Sequence, residues 1–546
     1  MRTTRYGTPL PRARSEATVL IVEPTLGYRS DQPASDLALG ASPAMENFVP
    51  RDGGLEPRPA LSQHTATSNP MGVLVTGGKE VQSSLGTRYN LISGTTRFAW
   101  YSASSYSPLS YVSSGGYTAV PSIGTTERVD ITQIYEATND EMLAVMSATS
   151  SYQTLFTWEV GATTFSSLTQ APRARWVAAF DNFLVAANVR APSTESKFIQ
   201  RVQWSDRGNP FNWTTGISGF QDLLDAQGGV TRVMAQESRV VLFFENEIWV
   251  QFRDAFPNTF RFQVLDRSVG TPYGMTCTET PKGICFLARD FMVYLLPKEG
   301  GPAVKIGQAV FRKIKDTVDE PGYAWGVYDP TTATYQLYYP TGAGTGLPQR
   351  AMWLNMETGA WAPQRFDQLD GARNLTIGWN GLLATGAAGQ TWSDVSGVYT
   401  WANVPGTWGS YGPTNVYGQQ VVYTGSSNGT VWYLNSNGTN DDGTGVTCKW
   451  RSSALGADDP AHTKLVNGFR LDYDADTAST VSVAVSRDQG ETFDSAFTLG
   501  LAQAENQSTA QGYPYTGARY PVFEVQSNDR FFRLLRFWLA IRSGGR

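Results

Sequence analysis

The stretch Val240-Val241-Leu242-Phe243-Phe244, Glu245-Asn246, Glu247-Ile248-Trp249-Val250-Gln251-Phe252 has the form of a β-hairpin. Its two apolar runs are too short for buried helices and are rich in β-branched and aromatic residues. The two polar residues between them suit a tight turn. A second copy follows without a gap at an offset of 44 residues, from 240 to 284: Ile284-Cys285-Phe286-Leu287-Ala288, Arg289-Asp290, Phe291-Met292-Val293-Tyr294-Leu295-Leu296. A third, Trp176 to Phe180, turns at Asp181-Asn182 into Phe183 to Ala187.

Two later segments share a second pattern. Leu382-Leu383-Ala384-Thr385-Gly386 precedes Gly389-Gln390-Thr391-Trp392, and Val421-Val422-Tyr423-Thr424-Gly425 precedes Gly429-Thr430-Val431-Trp432. Self-similarity of this period in an all-β chain is the signature of a propeller, in which each blade needs neighbours to cover its faces. About six or seven units fit between residues 71 and 440, with nearly continuous apolar runs expected as inner strands. A string of β-sandwich domains is the alternative architecture.

The expected organisation has three parts: a partner-ordered arm over 1–45, a propeller body over 46–440, and a β-sandwich-like domain over 441–546. The arm has little patterning beyond Ala17 to Val22. The last part follows the polar connector Asn435 to Gly445 and alternates at period 2 in Val446 to Trp450, Phe469 to Tyr473 and Val481 to Val485. Phe531 to Ile541 reads as a strand in this context, although Leu534, Phe537, Trp538 and Ile541 also have helical spacing.

Composition agrees with sheets: 546 residues with 12% aromatics, only 17% charged residues, and 54 glycines for turns and bulges. A net charge of −5 argues against a protein that grips nucleic acid through a basic face, but not against DNA passing through an assembly. Cys277, Cys285 and Cys448 are too few and too far apart for a disulfide framework or zinc site, and Cys285 reads as a buried structural thiol. No apolar run is long enough for a membrane-spanning helix, and Met1 to Arg14 lacks the apolar region of a secretory signal. The Asn-x-Thr sequons at Asn212, Asn428 and Asn437 mean glycosylation only in a secretory host, which no signal peptide supports.

Little in the chain points to chemistry. His64 and His462 are the two histidines, both in polar contexts that read as surface loops, so histidine catalysis and histidine metal sites find little support. Thr341 to Gly346 lacks the lysine of a phosphate-binding loop and reads as an inter-strand loop. Asp222 with Asp225 and Asp441 with Asp442 are the candidate acid pairs for glycoside hydrolysis or, for the latter, weak calcium binding. Both read better as turns. The expectation is therefore no catalytic residue, no cofactor and no metal.

One motif is specific. Ser486-Arg487-Asp488-Gln489-Gly490-Glu491-Thr492-Phe493 fits the Asp-box pattern Ser-x-Asp-x-Gly-x-Thr-Trp/Phe. Its expected role is structural, with Asp488 holding the turn through backbone N–H groups, Gly490 taking a glycine conformation, and Phe493 returning to the core.

Several segments together resemble the tail nozzle proteins of short-tailed bacteriophages, also called packaged-DNA stabilisation proteins or tail tubular protein B. Asn47-Phe48-Val49-Pro50 with Gly53-Gly54-Leu55 and Arg58-Pro59 is similar to that family's opening passage. Val202 to Trp213 is similar to its W-S-D-x-x-x-P-x-x-W element. Gly322 to Asp329, Tyr335 to Pro340 and Trp353 to Trp361 resemble a recurring blade, and Gly429 to Leu434, Trp450-Arg451-Ser452 and Ser486 to Phe493 match the layout that follows. The resemblance spans roughly residues 45–500 and rests on order and spacing; the first 44 residues depart from it.

This resemblance implies a structural virion protein made in the bacterial cytoplasm. It implies a homo-oligomeric ring, most often a hexamer, at the distal end of the tail, below a head-to-tail adaptor. Such a ring closes the DNA channel, retains the genome until ejection, and carries fibres, spikes or a needle, with genomic DNA in the lumen and no sequence-specific contact. Mild acidity suits DNA that must slide. Competing readings are a carbohydrate-binding host-adhesion propeller, which requires exposed aromatic platforms, and a glycoside hydrolase, which requires paired carboxylates in a pocket.

Overall fold

In a computed structural model, the described residues are 18–51, 53–64, 71–102, 105–111, 123–125, 127–148, 152–191, 196–255, 258–342, 346–366, 374–383, 419–455, 463–530 and 532–543. They are almost all strand, turn and loop; Phe311–Thr317 is the one α-helix among them. The chain divides into two compact units. One comprises Pro59–Glu357 and Pro363–Gly445, the other Met1–Arg58, Thr358–Ala362 and Val446–Arg546.

The larger unit is a β-propeller. Among the described residues it contains seven antiparallel four-stranded sheets. Their first strands are Val75–Gln82, Val129–Glu136, Arg173–Phe180, Val230–Ala235, Thr278–Thr280, Trp325–Asp329 and Leu375–Leu383. Sheet two gains a parallel fifth strand, Ser110–Tyr111. Sheet seven takes its fourth strand, Ala60–Gln63, from far upstream, with Leu61 opposite Leu434.

Side chains tie each sheet to the next around the whole ring. Lys79 Nζ donates to Ile131 O at 3.1 Å, and Val177 N donates to Asp130 Oδ2 at 3.1 Å. Asn188 Nδ2 donates to Val230 O at 2.8 Å, and Arg289 Nη1 to Asn246 Oδ1 at 2.8 Å. Tyr335 reaches Thr276 O, in the 3-10 turn before sheet five, at 3.0 Å. Asn380 Nδ2 donates to Tyr328 O at 2.5 Å, and Thr376 Oγ1 closes the circle on Val75 O at 2.7 Å. Apart from the exposed Arg289–Asn246 bond, they satisfy polar groups that are costly to withdraw from water between apolar faces.

Glycine permits the tightest of these approaches. An added Cβ at Gly378 would overlap the Trp325 ring of sheet six, and one at Gly78 would overlap the Trp379 ring of sheet seven. Bare backbone lets each indole lie flat on the neighbouring first strand. Trp325 stacks in turn on Tyr338, with centroids 3.9 Å apart and planes within 10°.

The repeated hairpins occupy the expected sheets but not always the same strands. Val240–Phe244 and Gly283–Leu287 are second strands of sheets four and five, whereas the Trp176 to Ala187 hairpin joins the first and second strands of sheet three. Val240–Phe244 is continuously apolar because both its faces are covered. Val240, Leu242 and Phe244 pack in the core shared with sheet three, and Val241 and Phe243 in the core shared with sheet five. The strands nearest the axis are the less apolar first strands. Leu382-Leu383 ends a strand paired with Gln419–Ser426, and the remainder of the 382–392 hairpin lies outside the described residues.

The smaller unit is a β-sandwich. One sheet runs Ala504–Gly512, Lys464–Ala475, Phe532–Ser543, Gly54–Pro57, Phe48–Arg51, and Thr18–Val22 and Thr516–Ala518 also pair into it. The other runs Phe497–Leu501, Ser479–Ser486, Val522–Ser527, Cys448–Arg451, Met45–Glu46. Phe537 of the first sheet meets Phe523 and Trp450 of the second at centroid distances of 5.0 and 6.2 Å. The segment 531–541 is thus strand, not helix, over its described residues.

Here the organisation differs from the sequence expectation. The supposed arm over 1–45 contributes Thr18–Val22, antiparallel to Phe532–Ser543, and Met45–Glu46, paired with Cys448–Arg451. These short segments pair into the two sandwich sheets, and residues 1–17 of the expected arm lie outside the described residues. The propeller begins at 59 rather than 46 and extends to 445 rather than 440. Asp441 holds that end by accepting Leu61 N at 2.8 Å.

Candidate functional site

The first strands of a propeller converge on its axis, where their inward side chains meet. A cavity of about 310 Å³ lies there, lined from sheets one, two, four, five, six and seven. Its charged residues are Lys79, Asp130, Arg232 and Glu279; Met234, Met275 and Cys277 supply soft apolar wall, and Tyr328 and Asn380 also line it. Gly78, Gly326 and Gly378 complete the lining, each packed closely by a neighbouring sheet.

Asp130 is buried and fully engaged. Its Oδ1 lies 2.7 Å from Arg232 Nη1 and its Oδ2 accepts Val177 N. Arg232 also lies over the Trp176 ring, 5.2 Å from the centroid, while its Nε has no hydrogen-bond partner among the described residues. Lys79 bonds Ile131 O and forms no ion pair with any described residue. Burial pushes the Lys79 ammonium down from its usual range, Asp130 opposes this and Arg232 adds to it. Asn380 has its Nδ2 on Tyr328 O and its Oδ1 buried without a partner among the described residues. Nearby, buried Arg128 donates Nε to Thr376 O at 3.0 Å, and burial lowers its guanidinium to about 10.

None of these residues was singled out from sequence. The available signal was a charge inside an apolar first strand, as in Val129-Asp130-Ile131 and Val230-Thr231-Arg232-Val233. Strand alternation does not tell an axial position from a solvent-facing one.

The residues that were weighed for chemistry are dispersed. Asp222 pairs with Arg201 at 2.7 Å on the outer edge of sheet three, and Asp225 is exposed. The Arg201 side-chain bond holds the Asp222 carboxyl below its usual range. Asp441 caps a turn with Thr444. His64 is not the surface residue expected. It is half-buried with its ring edge-on to Tyr423 at 5.2 Å, and desolvation lowers it to about 4. His462 and 343–345 lie outside the described residues. All three cysteines are buried and outside any disulfide, and desolvation pushes the Cys285 thiol up to about 12. Among the described residues no group of His, Cys, Asp and Glu could hold a metal ion, and no helix is long and apolar enough to cross a membrane.

The Asp-box forms as a self-bonded turn. Ser486 Oγ donates to Asp488 Oδ1 at 2.7 Å and accepts Gly490 N at 2.7 Å, and Thr492 N donates to Asp488 Oδ1 at 2.8 Å. Gly490 has φ +95°, the region open to glycine. Phe493 does not return to the core. It stays half-buried beneath Arg451, whose guanidinium carbon is 4.6 Å from the ring centroid and whose Nε pairs with Glu524 at 2.5 Å. The cation thus covers one face of a ring left at the edge of the sheet.

No protein-family profile matches the chain, and no curated protein does. Among solved structures, it is similar to exo-β-1,3-galactanase from Phanerochaete chrysosporium in complex with β-1,3-galactotriose, at 10% identity and a TM-score of 0.28, covering 88% of this chain and 100% of that one. It is also similar to YCF48 bound to D1 peptide, at 8% identity and a TM-score of 0.36, covering 69% and 97%. The propeller assignment rests on the strand pairing and the closed ring of inter-sheet bonds described above.

Proposed function

We propose that this chain is a structural virion protein of a short-tailed bacteriophage. Its copies form the nozzle ring at the distal end of the tail, closing the DNA channel until ejection. The observation that carries this reading is the ordered series of segments, from Asn47 to Pro59 through Val202 to Trp213 and Gly322 to Trp361 to Ser486 to Phe493, that resembles the nozzle family.

The geometry of those segments supports the reading because they hold backbone rather than expose reactive groups. Arg58 is buried with Nε on Asn47 Oδ1 at 3.2 Å. Trp204 and Trp213 bond Ile217 O and Pro210 O at 3.0 and 2.7 Å, bracketing a loop in which Asp206 Oδ1 accepts Ile217 N at 3.1 Å. Asn355 Oδ1 accepts Glu357 N at 2.9 Å in the turn that ends on Trp361. A series of architectural motifs suits a mechanical part without a catalytic step.

The axial cavity of a single chain, about 310 Å³ and crossed by the Asp130–Arg232 pair, is far too small for duplex DNA. In this reading DNA therefore runs through the lumen of a ring of chains, a hexamer, and each propeller is a wall module. The adaptor ring and a fibre, spike or needle are its expected partners. Deleting the gene is expected to give particles that package DNA and then lose it, with retention restored by supplying the protein. Mutant particles that keep their genome would contradict the proposal.

One observation favours a second reading, a carbohydrate-binding adhesion module. Tyr513 and Tyr515 on the sandwich are 54% and 71% exposed and stack within 21° at 6.2 Å, an aromatic surface of the kind sugars pack against. Glycan-array binding that is lost in Tyr515→Ala would support it; an array without signal would remove it.

A further inference from the structure

The axial cavity sets two cations, Lys79 and Arg232, against one buried carboxylate, Asp130. Asp130 is taken by Arg232 at 2.7 Å, and its other oxygen accepts the Val177 amide. Glu279, the other acidic residue of the lining, is exposed and faces Lys298 and Glu237 electrostatically. That leaves the Lys79 ammonium with one backbone acceptor, Ile131 O, and no anion within ion-pair distance among the described residues. Lys79 is half-buried, and an ammonium partly withdrawn from water in this state is relieved by a counter-ion.

The same space offers more donors than the protein uses. Arg232 keeps an unpartnered Nε, and the Lys79 ammonium has three N–H groups for one acceptor. At about 310 Å³ the space is roomy enough for ordered water or a small ligand. Small-molecule sites begin at about this size, with apolar walls and a few convergent polar groups. Met234, Met275 and Cys277 provide such walls.

We propose that the propeller axis is a binding site for a small oxyanion, a carboxylate or phosphate group held by Lys79 with support from Arg232. The anion neutralises the surplus cation and accepts the unused N–H groups. This site is independent of the nozzle reading, since it depends only on residues within one propeller.

Calorimetric titration of the full chain with inorganic phosphate, and separately with citrate, tests the proposal. The expected result is saturable binding of one anion per chain. Lys79→Met should weaken it about tenfold or more, the range for losing one charge-assisted contact. Lys313→Met, the same change on the exposed face of the helix, should leave it unaltered. Should Lys79→Met not fold, Lys79→Gln reads the same loss with less disturbance. Binding of phosphate alone or of citrate alone supports the site and identifies its chemistry. Absence of saturable binding with both anions would overturn the proposal, as would binding that Lys79 substitutions leave intact or that Lys313→Met weakens equally.

Discussion

Asp130 Oδ1 lies 2.7 Å from Arg232 Nη1, so a carboxylate of the second sheet reaches a guanidinium of the fourth. With Val177 N on its other oxygen, this one side chain joins three consecutive sheets at the axis. Removing one partner of a buried pair leaves the other uncompensated, at about 3–5 kcal/mol. Asp130→Ala is expected to lower unfolding stability by that order in urea titrations. Adding Arg232→Met should recover part of the loss, because the stranded charge is then gone.

Gly378 and Gly78 predict a steric result at the ring closure. Alanine at either position would overlap Trp325 or Trp379 and force the indole off its rotamer, at about 1–3 kcal/mol. Gly322→Ala, where an added Cβ meets nothing within 4 Å, should stay within about 0.5 kcal/mol. Thermal melting of the three variants separates these outcomes.

His64 gives the propeller an acid-sensitive contact. Its folded value near 4 lies below the ordinary 6.5 because the ring is desolvated against Tyr423 and Tyr433. Above pH 6.5 the imidazole is neutral in both folded and unfolded chains. Between 6.5 and about 4 only the unfolded chain takes up the proton, so stability falls as pH falls, by at most about 3 kcal/mol. Below about 4 this contribution changes no further. His64→Phe keeps an aromatic edge on Tyr423 and should flatten the pH dependence in that window, measured by urea midpoints at successive pH values.

The Asp-box predicts a local effect. Hydrogen bonds from Thr492 and Ser486 hold the Asp488 carboxyl well below the usual carboxylate range. Asp488→Ala should speed hydrogen exchange at the Gly490 and Thr492 amides while leaving exchange in Lys464–Ala475 unchanged. Because the carboxylate is favoured in the fold, the turn's protection should be complete above the ordinary aspartate range and weaken as pH falls through and below it.

The hairpins at 240–252 and 284–296 were legible because strands buried on both faces must be continuously apolar. The Asp-box was legible because its bonds are local, within four residues of one another. What escaped was nonlocal. Ala60–Gln63 carries no mark of the seventh sheet, and Asp441 bonds Leu61 across 380 positions. Thr18–Val22 pairs with a strand at the other end of the chain, so patterning alone left it as an arm. The axial charges escaped for the same reason: Asp130 and Arg232 are 102 positions apart, and only ring closure brings them together.

Native mass spectrometry of the purified full chain, alone and with the adaptor ring of its virion, tests the central claim most directly. The account predicts a closed homo-oligomer, a hexamer, that binds the adaptor. A chain that stays monomeric at all concentrations and with the adaptor present would contradict it.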